Sequence, residues 1–215
     1  MIQPSKGTSF LITMFLVTGA CAQERTIEAD IWVDNWHAVY LEDELLMEDS
    51  VPIEIEQSKN KDSFTFTAEL PAQINIIARD FIENDSGLEY IGRARQQIGD
   101  GGLSAQFIDA ESGEVLAATD ETWHCLSIHR APLNKSCERS ADPLADCESE
   151  IMEAPEGWMS SDFDDSDWPT ATVYTVRAVG ANRGYNEVQW DSAAKLIWAA
   201  DLEIDNTVLC RVELR

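Results

Sequence analysis

Alternation of apolar and polar residues with a period of two is the feature of this sequence that most restricts its fold. Successive side chains of an extended strand point to opposite faces, so such a segment can bury one face and leave the other in solvent. No segment has the pattern of an amphipathic helix with a cap at one end and glycine at the other. The sequence therefore predicts an all-β protein built as an antiparallel β-sandwich. The predicted strands, separated by turn sequences, are TIEADIWVD (26–34), VPIEIE (51–56), SFTFTAEL (63–70), QINIIARD (73–80), GLSAQFID (102–109) and TVLCRVEL (207–214).

The first 22 residues have the three-part layout of a secretory signal peptide. Lys6 precedes an apolar run over residues 10–18, and the small residues TGACA end the segment at Ala22. The apolar run is too short to span a membrane as a stop-transfer helix. We therefore predict cleavage after Ala22 and a secreted or periplasmic protein that folds as one domain over residues 23–215. Lipidation of the Cys21 thiol is an alternative that would leave the chain anchored to a membrane.

The formal net charge of −25 restricts the partners of the chain. A strongly acidic surface repels nucleic acid and anionic membranes, so we expect neither to bind. Calcium, a neutral sugar or a cationic peptide would not be repelled. The same charge also suits an exported protein whose acidic residues only keep it soluble, so the charge does not select among these partners.

Four cysteines follow the predicted signal peptide: Cys125, Cys137, Cys147 and Cys210. An even number in an exported chain predicts two disulfides, for which three pairings are possible. We predict Cys137–Cys147, because it closes a short loop within the irregular segment 131–157, and Cys125–Cys210, because it can join two strands. None of the four lies in a CxxC pair, so the sequence gives little support for a structural zinc site.

The segment DFDDSDW (162–168) combines four carboxylates with two aromatic rings. Its spacing is close to that of a calcium-binding EF-hand loop, but Asp167 stands where that loop needs glycine and Val173 where it needs glutamate. Carboxylates so close in sequence are also a poor general acid and base pair, because such a pair must flank the bond that it cleaves. A folding role and a cation contact by Asp162 or Asp167 both remain open.

Three segments, in order along the chain, carry a resemblance to a known family: DNWHAVYLEDELL (34–46), GDGGLSAQFIDAESGEVLAATDETWHC (99–125) and GWMSSDFDDSDWPTA (157–171). They resemble the galactose-binding-like jelly-roll domains, similar to the lectin-like modules of bacterial α-L-rhamnosidases and other secreted glycosidases. The resemblance implies a jelly-roll sandwich and covers about residues 27–125 and 157–215, without the rhamnosidase catalytic barrel. One departure is Glu42–Asp43, which replaces the family's Asn-Gly and predicts a turn that is longer or differently shaped.

The resemblance also implies a structural role for the last of these segments. Its aromatic residues would be buried anchors, and the Asp-Asp-Ser between them would turn the backbone that joins them. The residues implied to be structural are Trp123, Trp158, Phe163, Asp164, Asp165 and Trp168. The other tryptophans at strand spacing, Trp32, Trp190 and Trp198, are more typical of a core than of a sugar platform.

The candidate ligand-binding residues are Asp34, Asn35 and Trp36. Trp36 lies beside two polar side chains at a strand edge, and its ring can stack on a sugar. Packing of the Trp36 ring in the core is the alternative. A second hypothesis, suggested by the resemblance and by the acidic loops, is one structural calcium ion with ligands among Asp34, Asp80, Asp85 and Asp205. These acids can equally be solvated turn residues that make local backbone hydrogen bonds.

Sequence motifs for catalysis are missing. The chain has no nucleophile elbow, zinc-protease helix motif or phosphate-binding glycine loop, so we expect it not to be an enzyme. His37 stands alone, and the spacing of His124 and His129 would send them to opposite faces of a strand. The resemblance implies a secreted, non-catalytic module that binds a carbohydrate or glycan. The alternative is a structural or interaction subunit whose partner is another protein.

Overall fold

The computed structural model describes residues 24–53, 59 and 61–215. The predicted signal peptide and the lipidation of Cys21 lie outside the described residues. The predicted strand 51–56 is only partly described, and its residues 51–53 do not form a strand.

The elements are mostly β-strands, with two α-helices of four residues each in the described part of the chain. The other five predicted strands are confirmed. In chain order the elements are β1 (Glu24–Asp34), β2 (Trp36–Leu41), β3 (Glu44–Glu48), β4 (Lys61–Glu69), β5 (Ala72–Arg79), β6 (Leu88–Glu89), β7 (Gln97–Ile98), β8 (Gly102–Asp109), β9 (Val115–Ala118), β10 (His124–Arg130), α1 (Pro143–Asp146), β11 (Glu150–Ile151), β12 (Thr172–Tyr174), α2 (Val176–Val179), β13 (Leu196–Trp198) and β14 (Asp205–Leu214).

Two six-stranded antiparallel sheets form the body of the protein. The first sheet has the strand order β12-β13-β8-β1-β4, with β9 paired to β8, and the second has the order β11-β10-β14-β5-β2-β3. Strands β6 and β7 form a separate two-stranded ribbon. The all-β, antiparallel class predicted from the alternation is therefore confirmed.

The core lies between the two sheets and follows the period-two pattern. Ile27 and Ile31 of β1 in the first sheet pack in one cluster with Ile74 and Ile76 of β5 in the second sheet. All four side chains are fully buried. Burial of a branched aliphatic side chain contributes roughly 1.5–3 kcal/mol, so this alternation is the main source of stability of the sandwich.

The outer face of each sheet is also covered, although by irregular segments. Trp158 and Trp168 pack on Leu209, which points out of the second sheet. Trp32 points out of the first sheet and packs against Val179 of α2 and Leu196. Where a central strand is buried on both faces, its sequence is a continuous apolar run instead of a strict alternation, and the end of β1 is an example.

Both predicted disulfides are confirmed. Cys125 and Cys210 are directly opposite each other on β10 and β14, and their bond lies in the core. Cys137–Cys147 closes the irregular segment 131–157, which also holds α1 and β11. Two disulfides are compatible with an extracellular or periplasmic location.

The turn between β2 and β3 differs from its prediction. It remains tight, because Leu41 pairs directly with Glu44 and only Glu42 and Asp43 connect them. Glu42 takes a left-handed backbone conformation with φ of 48°, and the Asn75 side-chain amide donates to the Glu42 carbonyl at 2.9 Å. In the family that the sequence resembles, Asn-Gly favours this tight turn through its own backbone preferences. In this chain a long-range hydrogen bond stabilises the turn instead.

No helix in the described residues has the length and the apolar character needed to cross a membrane.

Candidate functional site

One end of the sandwich brings together the strand ends of both sheets. Asp34 at the end of β1 is opposite Gly102 at the start of β8, and Trp36 is opposite Arg79 at the end of β5. Because Asp34 and Trp36 are separated by one residue, the two sheets meet here. The candidate ligand residues from the sequence therefore lie at this end of the fold.

Four acidic side chains form a group at this end that we call the buried carboxylate cluster: Asp34, Asp80 and Glu89 are buried, and Asp100 is half-buried. Asp34 and Asp80 are each 1% exposed. Their charges influence one another, since the pKa of Asp80 is raised by Glu89, Asp34 and Asp100 in addition to its burial. Like charges in a buried site disfavour ionisation, and the Lys59 ammonium, which forms an ion pair with Asp34, offsets only part of this repulsion.

Burial is the main cause of the raised pKa values in the buried carboxylate cluster. It raises the pKa of Asp34 from 3.8 to about 7, although the Lys59 ammonium, which contacts Asp34, lowers it in part. Burial also raises the pKa of Glu89 from 4.5 to about 7, opposed mainly by a hydrogen bond from Gln97. Strongly perturbed acids in one place are typical of functional sites.

Asp80 is the most constrained member of the cluster. Neither of its carboxylate oxygens has a hydrogen-bond partner within the part of the chain that the structure describes. The Phe81 N–H donates to the Asn35 side-chain oxygen at 2.7 Å, and it also lies near enough to the Asp80 carboxylate to lower the pKa of Asp80 in part. A Cβ atom on Gly99 would lie 1.9 Å from Asp80 Oδ2, so only glycine fits above this carboxylate.

The predicted calcium ligands are only partly gathered. Asp34 and Asp80 belong to the cluster, whereas Asp85 is exposed. The Asp205 oxygens accept hydrogen bonds from Arg130 Nε at 3.1 Å and from the Asp201 N–H at 2.8 Å, which leaves them engaged elsewhere. Sequence reasoning missed Glu89 and Asp100. The signal that could have indicated them is the glycine-rich segment GDGG (99–102), where Gly99 lets the backbone pass close to the Asp80 carboxylate.

A calcium ion fits the chemistry of the cluster, because its members offer oxygen ligands and excess negative charge. Asp80 would supply the first ligands, whereas the donor groups of Asp34, Asp80, Glu89 and Asp100 are not gathered within 4.8 Å of one another in the structure. Among the described residues, the acidic and histidine donors that already lie within 4.8 Å of one another belong to a different group, formed by His37, Asp49 and Asp62.

The three candidate ligand-binding residues have different exposure. Asp34 and Asn35 are buried, and Asn35 is further fixed because its N–H donates to the Arg79 carbonyl at 2.8 Å. As placed, neither can contact a sugar directly. Trp36 is half-buried, and the Arg79 guanidinium carbon lies 5.7 Å from the centre of its ring. Trp36 is therefore the one partly exposed member of the predicted site, and Arg79, which sequence reasoning did not include, lies beside it.

A recess of about 340 Å³ opens beside Arg79 and is lined by Ile53, Arg79, Phe81, Ile82 and Glu83. Its volume lies near the lower end of small-ligand sites, roughly 300–1,000 Å³. The guanidinium offers hydrogen-bond donors, the carboxylate offers acceptors, and the aromatic and aliphatic side chains offer apolar surface. This combination matches a polyhydroxylated ligand with one apolar face.

The DFDDSDW segment has a folding role in the structure. Asp165 bridges two strands, because its oxygens contact His124 Nδ1 at 3.0 Å and Arg211 Nη1 at 2.6 Å. Asp164 accepts a hydrogen bond from the Ser166 N–H at 3.1 Å and so turns the local backbone. Trp123, Trp158 and Trp168 are buried and Phe163 is half-buried. Asp164 and Asp165 therefore serve internal contacts.

No family model matches the chain, and no curated protein or solved structure matches it.

Proposed function

We propose that this protein is an exported, non-catalytic module that binds a carbohydrate at the end of the sandwich where Trp36 and Arg79 are partly exposed. The observation that carries the proposal is the placement of Arg79, which lies against the Trp36 ring and also lines the adjacent recess of about 340 Å³. Aromatic rings bind the apolar face of a sugar, and charged side chains bind its hydroxyl groups. The family resemblance of the sequence supports the same ligand class.

Glycan binding tests this proposal directly. We expect the wild type to bind a subset of neutral glycans on an array, and Trp36→Ala and Arg79→Ala each to lose at least about tenfold in affinity, which corresponds to about 1.4 kcal/mol. Arg139→Ala is the matched control, because it removes the same charge from an exposed side chain on the cysteine-bearing segment. A folded wild type that binds no glycan, or two site variants that bind as the wild type does, would refute the proposal.

We also propose that the buried carboxylate cluster binds one calcium ion beneath this site. Bound calcium would add to the positive charge of Lys59 and hold together the strand ends that carry Asp34, Asp80, Glu89 and Asp100. The protein's contribution is the buried position of Asp80, whose oxygens are not satisfied by the described residues. This proposal is separable from glycan binding, because a structural ion can be present without any sugar.

Thermal melting tests the calcium proposal. Calcium should raise the melting temperature of the wild type increasingly with concentration, because an ion that binds only the native state stabilises it. Asp80→Asn should abolish the increase, whereas Asp85→Asn should preserve it, since Asp85 is exposed. Melting curves that coincide in calcium and in chelator would refute the proposal.

A protein partner is a second candidate function, favoured by the surface of the cysteine-bearing segment. Large apolar side chains of this segment are exposed: Leu133, Leu144, Ile151 and Met152. Grouped exposed apolar residues often mark interaction sites. In pull-downs from exported proteins of the native host, the double variant Leu144→Ser with Ile151→Ser should lose a partner that the wild type binds. Leu45→Ser is the control and should retain that partner, because Leu45 is equally apolar and exposed but lies on β3. Identical co-purification by these variants would exclude this function.

A further inference from the structure

His37 does not stand alone in the folded chain. It is 0% exposed and lies between two carboxylates that are distant from it in sequence. His37 Nδ1 is 3.4 Å from Asp49 Oδ2, and His37 Nε2 is 3.5 Å from Asp62 Oδ2. Asp49 follows β3 beside His37 in the second sheet, whereas Asp62 belongs to β4 in the first sheet. The three residues therefore connect the two sheets.

The imidazole of His37 has no hydrogen-bond partner for either ring nitrogen among the described residues. A neutral imidazole has one donor nitrogen and one acceptor nitrogen, but both nitrogens of His37 face carboxylate oxygens. One nitrogen lone pair would then face negative charge in a buried site, which is unfavourable unless a positive charge lies between them. Either a second ring proton or a metal ion can supply that charge.

The spacing of the donor atoms fits a small divalent metal ion. Two ligands on a tetrahedral ion with bonds of 2.0–2.1 Å are about 3.3 Å apart, and the contact of each His37 nitrogen with its own carboxylate, at 3.4 or 3.5 Å, is close to this value. An ion can bind only one of the two ring nitrogens. One donor atom from each of the three residues lies within 4.8 Å of the others, so the carboxylate beside the other nitrogen would move toward the ion to complete the site. A nitrogen with two carboxylate oxygens suits zinc and similar transition metals better than calcium or magnesium, which prefer oxygen alone.

The carboxylates are oriented by the short segment that follows β3. Asp49 Oδ1 accepts a hydrogen bond from the Val51 N–H at 2.8 Å, which leaves Oδ2 directed at the imidazole. Ser50 donates to the Asp62 carboxylate through both its backbone and its side chain. Metal-binding carboxylates are typically held by such outer hydrogen bonds.

We propose that His37, Asp49 and Asp62 bind one zinc-like divalent ion that joins the β2–β3 hairpin to β4. The site is structural, because its ligands are buried and it is closed except at Asp62, whose side chain is 11% exposed. A search for closely spaced cysteine pairs could not identify this metal site, because none of its ligands is a cysteine and the ligands come from three parts of the chain. The proposal is independent of glycan and calcium binding at the other cluster.

Metal titration of the full-length protein, stripped with chelator, tests the site. We expect Zn²⁺ to bind with 1:1 stoichiometry in equilibrium dialysis and to raise the melting temperature with concentration, and Co²⁺ to give the visible absorption of a four-coordinate ion. His37→Gln should weaken Zn²⁺ binding at least about tenfold. His129→Gln is the matched control, because His129 is also buried but contacts the Asp85 carbonyl instead.

A second ligand variant is needed in case His37→Gln does not fold. Asp62→Asn keeps the shape of a partly exposed ligand and should also weaken Zn²⁺ binding, while calcium stabilisation through Asp80 should persist. Wild-type protein that binds no Zn²⁺, or equal Zn²⁺ affinity in the wild type, His37→Gln and Asp62→Asn, would overturn the proposal. Nitrogen-15 shifts that show both His37 ring nitrogens protonated in the presence of saturating Zn²⁺ would overturn it too, and would establish an ion pair with the two carboxylates.

Discussion

Replacement of Arg211 should destabilise the protein strongly, because this buried side chain connects the DFDDSDW turn to the second sheet. The Arg211 guanidinium donates to the carbonyls of Ser160 at 2.7 Å and Phe163 at 3.0 Å, and to Asn75 Oδ1 at 3.1 Å. It also forms an ion pair with Asp165 at 2.6 Å. Arg211→Met would retain much of the packing volume but would leave these acceptors without their donor.

The magnitude follows from the burial of the pair. Removal of one partner of a buried ion pair costs roughly 3–5 kcal/mol. Asp165 is 24% exposed on its side chain, so water can replace part of the lost contact and the lower half of this range is expected. For a chain of this size each kcal/mol lowers the melting temperature by about 2–4 °C, so the decrease should be roughly 10 °C.

Denaturant and thermal unfolding followed by circular dichroism measure this effect. Arg215→Met is the matched control, because Arg215 is 81% exposed and its ion pair with Glu213 should contribute less than about 1 kcal/mol. Arg211→Lys should be intermediate, since lysine keeps the charge but not the planar set of donors. If Arg211→Met unfolds within about 1 kcal/mol of the wild type, Arg211 does not hold the turn in place.

Three further predictions concern the ionisation of the buried cluster, the aromatic cover and the loop disulfide. With chelator present, the free energy of unfolding of the wild type should fall relative to that of Asp34→Asn as pH rises from about 4 to 7, by at most about 4 kcal/mol. The reason is that burial raises the pKa of Asp34 from 3.8 to about 7, so the folded chain holds that proton more tightly than the unfolded chain does. A stability difference that is constant with pH would contradict this. Trp168→Ala should cost roughly 3–5 kcal/mol through lost packing, and unchanged melting with lost ligand binding would instead make Trp168 a binding residue. Cys137→Ser with Cys147→Ser should cost about 3 kcal/mol through greater freedom of the unfolded chain, and equal urea midpoints for this variant and the wild type would show that the loop is held by other contacts.

The local sequence was sufficient to predict five of the strands, the all-β antiparallel class and both disulfides. Alternation along segments such as 26–34 and 73–80 depends on the backbone geometry of each strand alone, so it can be recognised without knowing the strand's neighbours. The cysteine pairing followed from the even number of cysteines and from the short separation of Cys137 and Cys147. The turn at Glu42 is not lengthened, and the hydrogen bond that stabilises it comes from Asn75, a residue on another strand that the local sequence cannot reveal.

Only the tertiary structure decided which polar residues meet. The sequence places Asp34, Glu89 and Asp100 far apart and separates His37 from Asp62, but strand order and register bring each group to one point. Packing of the folded chain buries these carboxylates, and burial in turn raises the pKa values of Asp34, Glu89 and Asp100. These effects depend on long-range pairing between sheets, because the electrostatic and hydrogen-bonding energy of a buried polar group is determined by its neighbours in space, whereas periodicity reports only its neighbours along the chain.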